Sequence, residues 1–140
     1  MTRYLESTDG ITAGQLTGFF EGWRHPPSPA THLQALRGSD LVVLAIEDAP
    51  APRVVAFATA ITDGVLAAYI PLLEVLPTHR GRGIGGELLR RLLARLQPLY
   101  LVDRTCDAEL LPFYRRLGFE PATAAAIRDV DVQGGREAPT

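Results

Sequence analysis

Residues 80–86 read Arg-Gly-Arg-Gly-Ile-Gly-Gly and lead into a stretch patterned as a helix. Glycines let a backbone curl tightly and approach a ligand with no Cβ in the way. The first N–H groups of a helix have no partner within it, and the helix dipole adds positive charge there. Such a turn favours an anion, most often a phosphate. The local charge agrees. From His79 to Arg95 five arginines stand against one glutamate, a local +4 in a chain of net charge −2. The plainer reading is a flexible surface loop ahead of a solvated arginine face, and Arg90, Arg91 and Arg95 fit it as outer-face residues. A strand before the turn and an apolar stripe after it favour the phosphate grip.

All 14 basic residues are arginine, so a lysine Schiff base and a lysine-bearing P-loop are excluded. Gly81-Arg82-Gly83-Ile84-Gly85 also lacks the Gly-x-Gly-x-x-Gly spacing of a dinucleotide fingerprint. Three further side chains matter. Tyr114 is either an aromatic that packs a short helix on a sheet or a hydroxyl acid. By themselves Glu74 reads as an exposed strand residue and Asp107 as one that closes a turn or starts a helix. Cys106 with His79 could suggest a thiol nucleophile, but nothing in the sequence supplies an orienting third group. The cysteine reads as a small buried hydrophobe and His79 as loop surface. His25, His32 and His79 show no metal-ligand spacing, and a single cysteine excludes a multi-cysteine zinc site. No metal is expected.

The elements that must position these groups follow from periodicity. Thr12 to Trp23 places Leu16, Phe19, Phe20 and Trp23 at helical spacing, against the weakening effect of Gly14, Gly18 and Gly22. His25-Pro26-Pro27-Ser28-Pro29 must be a loop, and Thr31–Arg37 is a second short helix ended by Gly38. Strands are expected at Leu41–Ile46, Val54–Thr62 and Val65–Leu76, with a hairpin turn at Asp63-Gly64. Pro71 inside the third strand implies a bulge, a bend or an unpaired edge. Ile84 to Leu96 carries one apolar stripe, Ile84, Leu88, Leu89, Leu92, Leu93 and Leu96, and stops at Pro98. A strand at Leu99–Val102, a helix at Pro112–Leu117 and a last strand at Ala126–Val132 complete the chain, with a frayed tail from Gln133 to Thr140. The expected class is α/β (α+β): a mixed, mostly antiparallel sheet flanked by helices.

At this point the residues resemble a family. Arg80-Gly81-Arg82-Gly83-Ile84-Gly85 is similar to the acetyl-CoA motif of the GNAT N-acetyltransferases. Leu73-Glu74-Val75-Leu76-Pro77 resembles the strand that presents the acetyl group, and Pro112-Phe113-Tyr114-Arg115-Arg116-Leu117-Gly118-Phe119 the Phe-Tyr-x-x-x-Gly-Phe segment. The resemblance runs from about Leu41 to Pro121, within one N-acetyltransferase domain over residues 1–140. It implies that main-chain groups of Arg80, Gly81, Arg82, Gly83, Ile84, Gly85 and Gly86 hold the pyrophosphate. Main chain of Val75 and Leu76 would pair with the pantetheine arm. A splay between the strands before and after the Ile84–Leu96 helix would admit that arm. It implies Tyr114 as the acid that protonates the leaving thiolate and Glu74 as the base candidate. Asp107 would stand where the family often carries an asparagine that contacts the coenzyme. The implied reaction is direct transfer of acetyl from acetyl-CoA to a primary amine, small molecule or peptide. The acceptor would lie near Phe19, Phe20, Trp23 and the His25–Pro29 loop, or those aromatics are core.

The remaining observations bound the alternatives. One hundred and forty residues suit one domain, and 46% hydrophobic residues suit a packed core. A negative net charge and a leucine stripe that pins the arginine-bearing helix argue against nucleic-acid and membrane partners. No apolar run approaches a membrane span, and the start lacks a leader core, so the cytoplasm is the expected compartment. A homodimer is compatible with the family. A CoA-binding module without turnover is the alternative function.

Overall fold

The computed structural model describes residues 1–136. Its core is a six-stranded sheet with three α-helices. The strands are β1 (Thr2–Leu5), β2 (Leu41–Glu47), β3 (Arg53–Thr62), β4 (Ala67–Tyr69), β5 (Leu73–Val75) and β6 (Leu101–Asp103). The helices are α1 (Pro29–Gly38), α2 (Ile84–Arg95) and α3 (Leu111–Arg115). The sheet order is β1-β2-β3-β4-β6, with β5 also paired to β3. Only β4 and β6 run parallel, joined through α2; every other pair is antiparallel. The expected mixed, mostly antiparallel sheet flanked by helices is therefore present.

The long strands β2 and β3 are mostly apolar through their middles, Val42–Ile46 and Val54–Ala60, because both faces are covered there. α2 packs on one face, over β2, β3 and β5, and buries Ile84, Leu88, Leu89 and Leu92. The N-terminal segment and α1 cover the other. There Phe19 and Phe20 stand edge-on to Phe57 of β3, with ring centres 5.1 and 6.0 Å away. Ser28 caps α1, its Oγ accepting from Thr31 N at 3.1 Å, and Pro29 takes the first helical position, where no N–H is needed.

Four elements differ from the sequence reading. Thr12–Trp23 is not a helix. It holds one 3-10 turn at Ala13–Gln15 and then winds irregularly, with Gly18, Phe20 and Gly22 at φ +94°, +64° and +82°. Those left-handed residues break a helix, yet Leu16, Phe19 and Phe20 are buried, so their spacing reported burial and not periodic structure. The Thr2–Leu5 strand, unread in the sequence, adds the β1 edge. Val65–Leu76 is two short strands divided at Ile70-Pro71-Leu72, as the proline requires. Ala126–Val132 is no strand: it has no regular structure up to Asp129, with Ile127 96% exposed, then a 3-10 turn at Val130–Val132. In the tail expected to fray, Gln133 Oε1 accepts from His25 N at 3.0 Å; residues 137–140 lie outside the described residues.

The split of β4 from β5 makes the opening that matters. β3 is long enough to pair both, Ile61 and Thr62 with β4 and Ala56 to Ala58 with β5. β6 follows β4 only as far as Tyr69↔Asp103, and the last link is Ile70 N to Asp103 O at 2.9 Å. Beyond it β5 and β6 are unpaired, so the sheet opens between the strands that precede and follow α2.

Candidate functional site

The glycine turn sits at this opening. Gly81 and Gly83 adopt φ of +76° and +80°, the left-handed region that side-chained residues avoid. Gly83 is the residue before α2, and the first helical bond runs from Glu87 N to Gly83 O at 3.1 Å. The N–H groups of Gly83, Ile84, Gly85 and Gly86 therefore have no partner in the helix. Arg80 and Arg82 brace the turn: Arg80 Nε donates to Val75 O at 3.1 Å and Arg82 Nη2 to Thr78 O at 3.2 Å. Four free N–H groups, a helix dipole and two guanidinium groups make a cradle for a dianionic phosphate group.

β5 turns one set of main-chain groups toward the opening. Leu76 N donates to Val55 O at 2.9 Å and Thr59 N to Leu72 O at 3.1 Å, so even-numbered residues of β5 face β3. The main-chain groups of Leu73 and Val75 face the open edge. At Leu76 the N–H is engaged by β3 and the C=O already accepts from His79 N at 2.8 Å. Leu76 thus has no free N–H for the expected contact, whereas Val75 keeps its own.

The two other chemistry-bearing side chains lie on either side. Tyr114, on α3, is 3% exposed, with its ring edge-on to Phe113 and Phe119 at 5.0 and 5.5 Å. Its neighbour Phe113 and Val75 both touch the position a Cβ on Gly85 would occupy, each at 3.6 Å. Turn, open strand and tyrosine-bearing helix are so brought together. Glu74 points to the opposite face, where its Oε1 accepts from Phe20 N at 2.8 Å. Burial pushes the Glu74 carboxyl above the usual carboxylate range, against the pull of that N–H and of Arg80. Phe20 holds its N–H there from a left-handed backbone, a strain of about 1–3 kcal/mol for a side-chained residue.

Asp107 lies apart from this group in role: its carbonyl accepts from Leu110 N at 2.9 Å to close a turn, and its side chain is exposed and makes no cap. His79 is a correction. It is buried, with Nε2 2.9 Å from Glu47 Oε1 and Nδ1 2.8 Å from Thr78 Oγ1. It clamps the strand end to β2 and leaves no ring nitrogen for Cys106. Phe19 and Phe20 are core, and Trp23, 36% exposed, leans on Phe20. Among the described residues no three His, Cys, Asp or Glu gather as a metal site, and no helix is long and apolar enough to cross a membrane.

Sequence reasoning missed Arg104. It follows β6, donates from Nε to the Tyr114 hydroxyl at 3.0 Å, and from Nη1 to Ile70 O and Pro71 O at 3.1 and 2.7 Å. No spacing signals it, because its partners are 10, 33 and 34 residues away. Arg104 and Tyr114 also line a cavity of about 880 Å³ shared with Tyr69, Cys106, Glu120 and Arg128.

Comparison with known proteins matches this geometry to others. Residues 9–119 match the profile of the acetyltransferase (GNAT) family. GCN5-related N-acetyltransferase 1, chloroplastic, of Arabidopsis thaliana is 33% identical over 116 residues, and serotonin N-acetyltransferase 2, chloroplastic, of Oryza sativa subsp. japonica 35% over 119. Each alignment covers 81% of this chain and 58% of the relative, so the chain spans little more than half the length of these curated relatives. The crystal structure of a candidate acetyltransferase from Deinococcus radiodurans R1 is 44% identical, covers 98% of this chain and 94% of its own, and superposes with a TM-score of 0.94.

Proposed function

Because the chain belongs to the acetyltransferase (GNAT) family, we propose that it transfers acetyl from acetyl-CoA to a primary amine, directly and without a covalent enzyme intermediate. The carrying observation is the meeting, at one break in the sheet, of the unpartnered N–H groups of Gly83–Gly86, the outward main chain of Val75 and the Tyr114 hydroxyl. A diphosphate fits the first, an amide-bearing arm the second and a departing sulfur the third.

Acetyl-CoA supplies an activated acyl group, and the chain's own residues do the rest. Residues Arg80 to Gly86 bind the diphosphate through main-chain N–H groups. The unpaired Val75 N–H is the donor offered to the thioester carbonyl oxygen as it gains charge. Glu74, its carboxyl pushed up by burial, takes the proton from the amine as the C–N bond forms. Tyr114 gives its hydroxyl proton to the sulfur as the C–S bond breaks, and solvent restores it. The products are the N-acetyl amine and free coenzyme A. Asp107, with its exposed carboxylate, is the least supported member of the set, since a carboxylate repels a phosphate that an asparagine amide would hold.

The engagement of Glu74 by Phe20 favours one second reading, a module that binds the coenzyme without turnover. Calorimetry with acetyl-CoA, then thiol release over a panel of primary amines headed by arylalkylamines, separates the two. Binding with saturable thiol release supports transfer. Binding with no release for any amine supports the module, and no binding defeats both.

A further inference from the structure

We infer that Arg104 is the positioning residue of the proton donor: it fixes the Tyr114 hydroxyl at the apex of the sheet opening and leaves that hydroxyl's one proton free to be given away. The inference rests on the acetyl-transfer reading. Its starting point is the geometry of a planar group. A guanidinium carries five donors in a rigid fork and stays charged at any working pH. Here one arm of the fork, Nη1, reaches two successive carbonyls, Ile70 O at 3.1 Å and Pro71 O at 2.7 Å. Those carbonyls belong to the break between β4 and β5, where β6 has just left the sheet. With that arm fixed, the plane of the group is fixed, and so is Nε, which meets the Tyr114 oxygen at 3.0 Å.

The consequence is a choice of direction. A phenol has one proton to donate and lone pairs to accept with. Arg104 can only donate, so Tyr114 must use a lone pair toward it and aim its own O–H elsewhere. Tyr114 packs against Phe113 and Phe119, and the space left beside it is the cavity it lines with Arg104 and with Val102 and Asp103 of β6, at the edge of the opening. When the O–H bond breaks and the S–H bond of the coenzyme forms, the oxygen left behind already has a charged donor on it. The same side chain therefore ties the end of β6 to the β4–β5 break and readies the acid beside it.

A purely structural arginine would also hold the carbonyls, so the test must read its action through Tyr114. Arg104→Gln and Arg104→Lys are made in the native chain and in Tyr114→Phe, and kinetics are measured with acetyl-CoA and the fastest amine of the panel. In the native background Arg104→Gln lowers kcat about 30-fold and moves KM for acetyl-CoA less than about 3-fold, a loss on the scale of misplacing a general acid. In the Tyr114→Phe background the same change costs less than about 2-fold, because residues acting as a unit are not additive. Arg104→Lys, which keeps a cation but cannot bridge both carbonyls and the hydroxyl, falls between. Guanidinium ion added to Arg104→Ala restores part of the rate, entering by the cavity both residues line. Equal losses in both backgrounds, or no rescue, overturn the inference while leaving acetyl transfer standing. Native protein that binds acetyl-CoA and acetylates nothing defeats the transfer reading itself and takes the inference with it.

Discussion

The two sides of the sheet opening are built by different means. On the coenzyme side, β5, the 80–86 turn and α2 are contiguous in sequence, and the groups they offer are main-chain N–H groups. On the other side, residues 11–28, Arg104 and the chain after Gly118 are tied in by side-chain hydrogen bonds between positions apart in sequence. Phe20 N reaches Glu74, Arg104 reaches Tyr114, and His25 N reaches Gln133, separations of 54, 10 and 108 residues. A diphosphate asks for a backbone shape, and a short run of glycines can encode that shape by itself. Proton transfer and amine recognition ask for side chains converging from several elements, and only the assembled fold supplies that. The coenzyme side should therefore fail through backbone changes that leave the fold intact. The opposite side should fail through side-chain changes that leave coenzyme binding intact.

Gly83→Val breaks the comparison most severely if it does not behave so. Nothing lies within 4 Å of the Cβ it would add, so no clash complicates the reading. Its whole effect is conformational: φ of +80° is closed to a β-branched residue. We expect acetyl-CoA affinity to fall by roughly two to three orders of magnitude, the loss of two or so charge-assisted hydrogen bonds. Circular dichroism should show the fold retained. Unaltered calorimetric affinity would place the diphosphate elsewhere.

Next in size is Glu74→Gln, which keeps an oxygen for Phe20 N–H and loses the base. With the reaction set by proton removal, kcat should fall about 100-fold while acetyl-CoA affinity holds. Because burial raises the Glu74 carboxyl, native kcat should climb with pH through a range above that of an ordinary carboxylate, and the variant should lose that limb. Stability runs the opposite way. A carboxyl raised on folding favours the native state below its unfolded value, and that contribution disappears as pH rises through the folded value. Glu74→Gln should then be as stable as the native chain in acid and more stable near neutrality, as read by urea midpoints.

The same contrast explains what was legible. β2, β3, α2 and the Asp63-Gly64 turn were readable because each obeys one local rule: a continuous apolar run, a 3.6-residue stripe, a hairpin dipeptide. Pro71 announced a break, though not that two strands would diverge there. Thr12–Trp23 misled because helical spacing and burial coincide there without a helix, and Gly18 and Gly22 adopt left-handed backbone instead. β1 is four residues on an edge, too short for alternation to stand out. In the candidate site, the 80–86 turn was legible from adjacent residues, while Val75 and the acid role of Tyr114 came with the family resemblance. Arg104, the burial of His79 and the engagement of Leu76 could not, since each depends on a partner set by topology.

His32 sharpens the comparison further. It is 1% exposed among Phe19, Phe20 and Phe57, and neither ring nitrogen has a hydrogen-bond partner among the described residues. Burial pushes its pKa down to about 4, so the folded chain holds it neutral where the unfolded chain would protonate it. The unfolded state binds the extra proton, and stability falls as pH drops from about 6.5 toward 4. Between pH 7 and 4.5 this group should remove roughly 2 kcal/mol. His32→Leu should flatten that part of the urea-midpoint profile, and an unchanged slope would remove His32 as its source.

Gln133→Ala carries the smallest effect and the most selective one. Its carboxamide oxygen accepts from His25 N at an exposed site, worth about 0.5–1 kcal/mol. The contact nonetheless fixes the chain end beside α1: a Cβ on Gly135 would lie 2.6 Å from Thr31 Cγ2, so the two segments already touch. If the His25 loop borders the amine, loosening it should raise KM for the amine about 2- to 5-fold and leave acetyl-CoA affinity unaltered, the signature of lost ground-state binding on one side only. A matching change in acetyl-CoA affinity would mean that the two sides are mechanically joined through the sheet, and that the division drawn between backbone-built and side-chain-built halves does not extend to their energetics.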